Sequence, residues 1–327
     1  MLAQFRSRHD HNRRARPTPE LLRDGAGHQP QACYPGVMLF DWLFRPRRQE
    51  ARKRLLEQEF PDAWRATLER LPFYRSLDDR GQERIRDDLR VIIDEKSWEG
   101  CGGLEITDEI QVTIAAQASL LLLNIEHEYY KHVHTILVYP SAYKTAPSRD
   151  AAGVVREGQA NLGEAWRRGP VILSWDATLH GARDHKDGHN LVLHEFAHKL
   201  DMLDGLADGT PPMASMDQLS QWTRTMQKEF EMLRDAATSG RATVMDKYGA
   251  TNPAEFFAVA TECFFEKAHK LKQRHPTVYA CLRDYYHQDP ASWRSRSSVC
   301  WRPRTSKEML SAILERPQAG HQADFFE

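Results

Sequence analysis

The chain alternates charged amphipathic stretches with short apolar ones, and the spacing of the apolar positions predicts most of its elements. From Pro61 to about Trp98 apolar residues recur at helical spacing among charges, with Leu89, Val91, Ile92 and Ile93 standing out in LDDRGQERIRDDLRVIIDEKSW. This reads as the surface helices of an N-terminal layer spanning residues 38–130. Trp98–Ile106, with Gly100, Gly102 and Gly103, is a short extended piece. Thr107–Asn124 is a largely apolar core helix, with Thr107 as N-cap and Asp108 and Glu109 in the first turn. Two β-rich runs follow, HTILVYP (His134–Pro140) and GPVILSWD (Gly169–Asp176), with a weaker one around Gly153–Val155. Next comes a polar loop, HGARDHKDGHN, and then LVLHEFAHKLD (Leu191–Asp201). Further helices are predicted from Ser215 to about Ala237, over NPAEFFAVATECFFEKAHK, and from Pro276 to about Gln288, with a break at Ser239–Gly240. The pattern predicts an α+β fold, mainly helical, with a small β-sheet whose main region covers 131–290. Residues 1–37 are polar and irregular and read as a disordered extension. The Arg/Ser-rich stretch 291–327 reads as a loose tail with a short helix near Lys307–Leu314.

Composition narrows the function classes. Lys plus Arg (45) and Asp plus Glu (46) cancel to a formal charge of −1, so no global field draws the protein to nucleic acid or an anionic membrane. The five cysteines are scattered and form no CxxC pair, which fits neither a disulfide framework nor a cysteine zinc site and suits a reducing cytoplasm. ASLLLL (Ala118–Leu123) is far shorter than the ~20 apolar residues of a membrane span. The Arg-rich start lacks the apolar core of a secretory signal, and both Met1 and Met38 stand as candidate starts, since Met38 opens the apolar burst MLFDWLF.

One motif changes the picture. HEFAH has the spacing His-Glu-x-x-His, expected by chance roughly 0.05 times in a chain of this length. Residues four apart share a helix face, so His194 and His198 can offer imidazole nitrogens to one metal ion. Glu195 is rotated off that face and suits a general base. Leu193, Phe196, Ala197 and Leu200 form an apolar stripe on the other side, which would clamp the helix to the core. A third ligand is needed. Asp204 stands where the pattern HExxHxxGxxH has its third histidine, but Asp201 replaces the glycine that makes that sharp turn. Both aspartates fit better as helix-end caps or as groups orienting a histidine. The helix opening at Asn252 and Pro253 carries Glu255, Glu262 and Glu266 on one face. On the residues alone the third ligand lies between Glu255 and Glu262. The helix N-terminus favours the anion at Glu255, although Asn252-x-x-Glu255 also has capping-box spacing.

HEFAHKLD, followed by Tyr248 and NPAEFFAVATECFFE, resembles the Mlc titration factor A family of bacterial zinc peptidases, over about Leu39 to Asp289. GEAWRRGPVILSW (Gly163–Trp175) and TILVYP resemble strands of that family. The resemblance implies a zincin-like, gluzincin-type metallopeptidase with one Zn2+ per chain. His194, His198 and Glu255 would be the ligands, Glu195 the general base, and Glu262 an outer or structural residue. Tyr248, seven residues before Glu255, would stand beside the metal; the same Tyr-to-Glu spacing occurs in the catalytic domain of anthrax lethal factor. It further implies a cytoplasmic aminopeptidase acting on a peptide or protein substrate, with a transcriptional repressor of the Mlc type as a partner. The rival expectation is a regulatory binding protein whose zinc site is structural or vestigial. A third, contact of the basic and aromatic stretch Met38–Arg54 with membrane or nucleic acid, gives way to a solvated helix end with its aromatics packed inward.

Overall fold

The computed structural model describes residues 35–141 and 169–293. The strand expected near Gly153–Val155, the helix near Lys307–Leu314, most of the N-terminal extension and nearly all of the tail lie outside these residues. Contacts divide the chain between Gln49 and Glu50, and everything that builds the site belongs to 50–327. Helix α1 (Pro35–Glu57) starts three residues ahead of the boundary expected at Met38.

Four helices and a strand make up the first part: α2 (Asp62–Leu68), α3 (Pro72–Ser76), α4 (Asp79–Glu95), β1 (Ser97–Gly100) and α5 (Asp108–Leu122). Asp78 caps α4 and Thr107 caps α5, each side chain accepting the amide three residues on. Every residue of α5 from Val112 to Leu122 is buried, so this helix is the centre of the core. Strands β2 (Thr135–Tyr139) and β3 (Val171–Ser174) complete a parallel sheet in the order β1-β2-β3. Parallel neighbours require a crossover, and α5 supplies the one between β1 and β2. Ile136 pairs with Val171 and Val138 with Leu173, and these four buried side chains form the inner face of the sheet. Among the described residues β3 is an edge strand, with Ile172 exposed.

The second part is helical: α6 (Trp175–Arg183), α7 (Leu191–Asp201), α8 (Met216–Thr238), α9 (Pro253–Glu266), α10 (Ala268–Arg274) and α11 (Pro276–Tyr286). Helix α7 packs on α5, β3 and α9, so the HEFAH segment lies between the core helix and the acidic helix. The fold is the expected mainly helical, zincin-like α+β arrangement. Two local expectations are corrected. The chain turns directly from β3 into α6, where the sequence reads as strand through Asp176 and loop from His180. Trp175, Thr178, Leu179 and Ala182 give this short helix a buried face, and Asp176 sits in its first turn. The helix expected to run through NPAEFFAVATECFFEKAHK is two, because Lys267 leaves helical geometry at φ −114° and ψ 32°. No described helix is long and apolar enough to cross a membrane.

Candidate metal centre

The site is built where α7 and α9 face each other. Val192, Leu193, Phe196, Ala197 and Leu200 are buried on the core side of α7. Phe196 meets Tyr130 edge-on at 4.7 Å between centroids, which fixes the helix's rotation about its axis. The opposite face then presents His194 and His198 to α9. Helix α9 begins at Pro253, with the Asn252 side chain accepting the Glu255 amide at 2.9 Å. The two helices are also tied end to end. Asp201 Oδ2 accepts the amide of Gly209 at 3.0 Å, and Gly209, at φ +77°, lies so close to α9 that an added Cβ would come within 2.3 Å of the Pro253 carbonyl oxygen. Glycine is required there on both counts. Asp201 thus anchors the following loop, and it makes no hydrogen bond to His198, whose Nδ1 is buried without a partner. Asp204 accepts the Leu206 amide and closes a turn.

The geometry is compact. His194 Nε2 lies 3.2 Å from His198 Nε2, and Glu255 Oε2 is 3.0 Å from the first and 3.4 Å from the second. One donor atom from each of the three residues falls within 4.8 Å of the others. Two imidazole lone pairs aimed at each other across 3.2 Å repel unless a proton or cation lies between them, and a carboxylate oxygen beside both calls for positive charge. Two imidazole nitrogens and one carboxylate oxygen also form the donor set of a catalytic centre with an open position. The residues therefore fit a divalent metal ion. On the far side of His194, Nδ1 meets Glu262 Oε1 at 2.7 Å; this carboxylate fixes the tautomer that leaves Nε2 free for a metal.

Here the chain can be set beside known proteins. It matches the family described as glucose-regulated metallo-peptidase M90 over residues 46–287. The chain belongs to that metallopeptidase family. A protein of Synechocystis sp. described as uncharacterized is 36% identical over 259 residues, covering 78% of this chain and 94% of the relative. Proteins named Mlc titration factor A from Yersinia pestis and Yersinia pseudotuberculosis are 31% identical over 259 residues, covering 77% of this chain and 91% of theirs. Membership in a metallopeptidase family implies a metal ion and a peptide substrate.

The electrostatics of the cluster favour positive charge beside Glu255. Burial works against charge on His194, but its hydrogen bonds to Glu255 and Glu262, with attraction to Glu262 and Glu195, outweigh burial and push its pKa up to about 10. Burial would likewise raise Glu255, yet hydrogen bonds to His194 and His198 pull it down to about 2. Burial raises the Glu195 carboxyl, against the attraction of His194, His198 and Lys199, as suits a group that takes up a proton. Tyr248 sits in a 3-10 turn, Lys247–Ala250, capped by Asp246. Its ring centroid is 6.0 Å from that of His194, and it feels the charge of Glu255, while the residue stays 54% exposed. Burial and the Glu255 charge both raise its pKa, so it remains a hydroxyl donor.

The structure therefore gathers His194, Glu195, His198, Tyr248 and Glu255 in one place and puts Glu262 directly behind His194. Sequence reasoning missed the partners of the acidic face further along α9. Glu266 receives hydrogen bonds from Asn190 and from the Gly188 amide, and Gln117 of α5 reaches the same asparagine. The available signal was Gln117 itself, a polar residue within an apolar helix.

Proposed function

We propose that the protein is a zinc-dependent peptidase of the aminopeptidase type, with His194, His198 and Glu255 as ligands, Glu195 as general base and Tyr248 as oxyanion donor. The observation that carries this is the convergence of two histidine Nε2 atoms and one carboxylate oxygen on a single point, with Glu195 on the same helix. When bound, zinc polarises the scissile carbonyl and lowers the pKa of its water toward neutrality. Glu195 takes the proton of the attacking water on its carboxylate and delivers it to the leaving amine. Tyr248 donates its hydroxyl proton in a hydrogen bond to the oxyanion that develops on the carbonyl oxygen. Glu262 accepts from His194 Nδ1 and keeps Nε2 directed inward. Strand β3, at the sheet edge among the described residues, offers its backbone for pairing with an extended peptide, with Ile172 exposed beside it.

The test is Glu195→Gln. Metal content unchanged with hydrolysis of chromogenic aminoacyl substrates reduced by 10²-fold or more supports the reading, and full activity in the variant overturns it. A second role rests on the name of the Yersinia relatives, Mlc titration factor A. We infer that this chain also binds a transcriptional repressor of the Mlc type, in the cytoplasm. Chelator treatment that abolishes hydrolysis yet leaves repressor capture intact separates this role from the enzymatic one.

A further inference from the structure

Asn190 is the residue just ahead of the HEFAH helix, and each of its polar groups is engaged. Its side-chain Oδ1 accepts the Leu193 amide at 3.1 Å and caps α7, while its backbone carbonyl accepts the His194 amide at 2.9 Å. Its Nδ2 donates to Gln117 Oε1 at 2.8 Å and to Glu266 Oε1 at 3.0 Å, and its backbone amide donates to Glu262 Oε2 at 2.5 Å. Capping alone needs only the first of these. The others draw in α5, through a Gln117 that is itself fixed by donating to the Thr113 carbonyl at 3.0 Å, and two turns of the acidic face of α9. A fourth element closes the seat: a Cβ on Gly181 of α6 would lie 2.9 Å from Asn190 Cγ, so helix backbone abuts the asparagine directly. Asn190 is only 5% exposed, and Gln117 1%, so water is no substitute for any of these partners.

The same Glu262 carboxylate joins this seat to the metal centre. One oxygen is held by the Asn190 amide and the other by His194 Nδ1, at 2.7 Å. A carboxylate pinned at one oxygen can turn its second in only one direction. The path from Gln117 and Glu266 through Asn190 and Glu262 is buried and reaches the part-buried His194 without a break, and it sets the relative position of the two helices that carry the ligands.

We propose that Asn190 is the positioning residue of the metal centre: by holding Glu262 and the start of α7 against α5 and α9, it fixes the direction of His194 Nε2 and so the affinity for the metal. This rests on the assignment of His194, His198 and Glu255 as ligands.

Asn190→Ser tests it, because serine keeps an N-cap oxygen but removes both Nδ2 donors. Gln117→Met tests the same path from α5 without touching α7, and serves if the first variant does not fold. The readouts are Zn2+ affinity, by competition with a chromophoric chelator, and the thermal midpoint of metal-free protein. Loss of ligand orientation weakens affinity by about 10–100-fold. The expected result is a loss of that size in Asn190→Ser and a smaller one in Gln117→Met, exceeding any change shared with a cap variant on another helix, Ser215→Ala. Unchanged Zn2+ affinity with a lowered thermal midpoint overturns the proposal and leaves Asn190 an ordinary cap. A distinct failure is wild-type protein that binds no Zn2+, or binds it equally well after His194→Ala, which overturns the ligand assignment itself.

Discussion

The carboxylates around His194 give the sharpest prediction, the pH dependence of metal binding. In the metal-free protein His194 stays protonated until about pH 10, because Glu255 and Glu262 both favour its charge. Any metal ion bound below that pH must displace this proton. At pH 7 the displacement opposes binding by about three pH units, or about 4 kcal/mol at 1.36 kcal/mol per unit. The sign follows: apparent affinity rises with pH, by about tenfold per unit between pH 7 and 9, and flattens above the His194 pKa. At least one proton is released per ion bound. Competition with a chelator of known pH behaviour gives the slope, and calorimetry in buffers of different ionisation enthalpy counts the protons. Glu262→Gln removes one of the three carboxylates that raise His194, so its plateau should begin at lower pH. An affinity that changes less than twofold between pH 7 and 9 would show that His194 is not protonated in the free site, and the electrostatic reading of the cluster would fail.

Three further predictions follow from the geometry. Glu255→Ala should lose the metal, whereas Glu262→Ala should retain it with about 10–100-fold weaker affinity, as measured by metal content after dialysis; the reverse pattern would exchange the two roles. Tyr248→Phe should leave metal content unchanged and lower kcat by about 10²-fold with little effect on KM, as for a donor engaged only in the transition state. The third concerns Asp88, whose carboxyl burial raises to about 7 although Arg84 Nε stands 3.5 Å from its Oδ2. Folding favours its protonated form, so its contribution to stability is present below pH 4 and is lost as pH rises toward 7, by up to about 4 kcal/mol. Asp88→Asn should therefore be more stable than wild type at pH 8 and converge with it near pH 4 in urea denaturation; equal midpoints at pH 8 would refute the burial argument.

Much of the site was legible because helix signals and chemical signals coincide there. Asn190 and Asn252 announce two helix starts, and the stripes of α7 and α9 separate apolar from ligating faces by period alone. The choice between Glu255 and Glu262 was not legible, since residues two turns apart on one face differ only in which histidine nitrogen they meet. That depends on where α7 crosses α9, which Phe196 and the close contact at Gly209 decide in three dimensions. Helix α6 was hidden by its composition: Gly181 and its charged neighbours read as loop, yet the glycine is there to admit Asn190. The strand segments were visible, but not their parallel order, because pairing depends on the path of the intervening chain. Nothing local marked Lys267 as the place where one helix becomes two.

The proposed ligands come from two distant segments of the chain, with His194 and Glu255 separated by 61 positions. An unfolded chain cannot gather them cheaply, so metal binds the native state almost alone and adds to its stability by mass action, about 4 kcal/mol when free metal is 1,000 times the dissociation constant. Metal supply would therefore set the stability of the fold as well as the activity of the site. At low free metal that added stability is lost, and the native state opens more readily around α7 and α9, where the donor atoms meet.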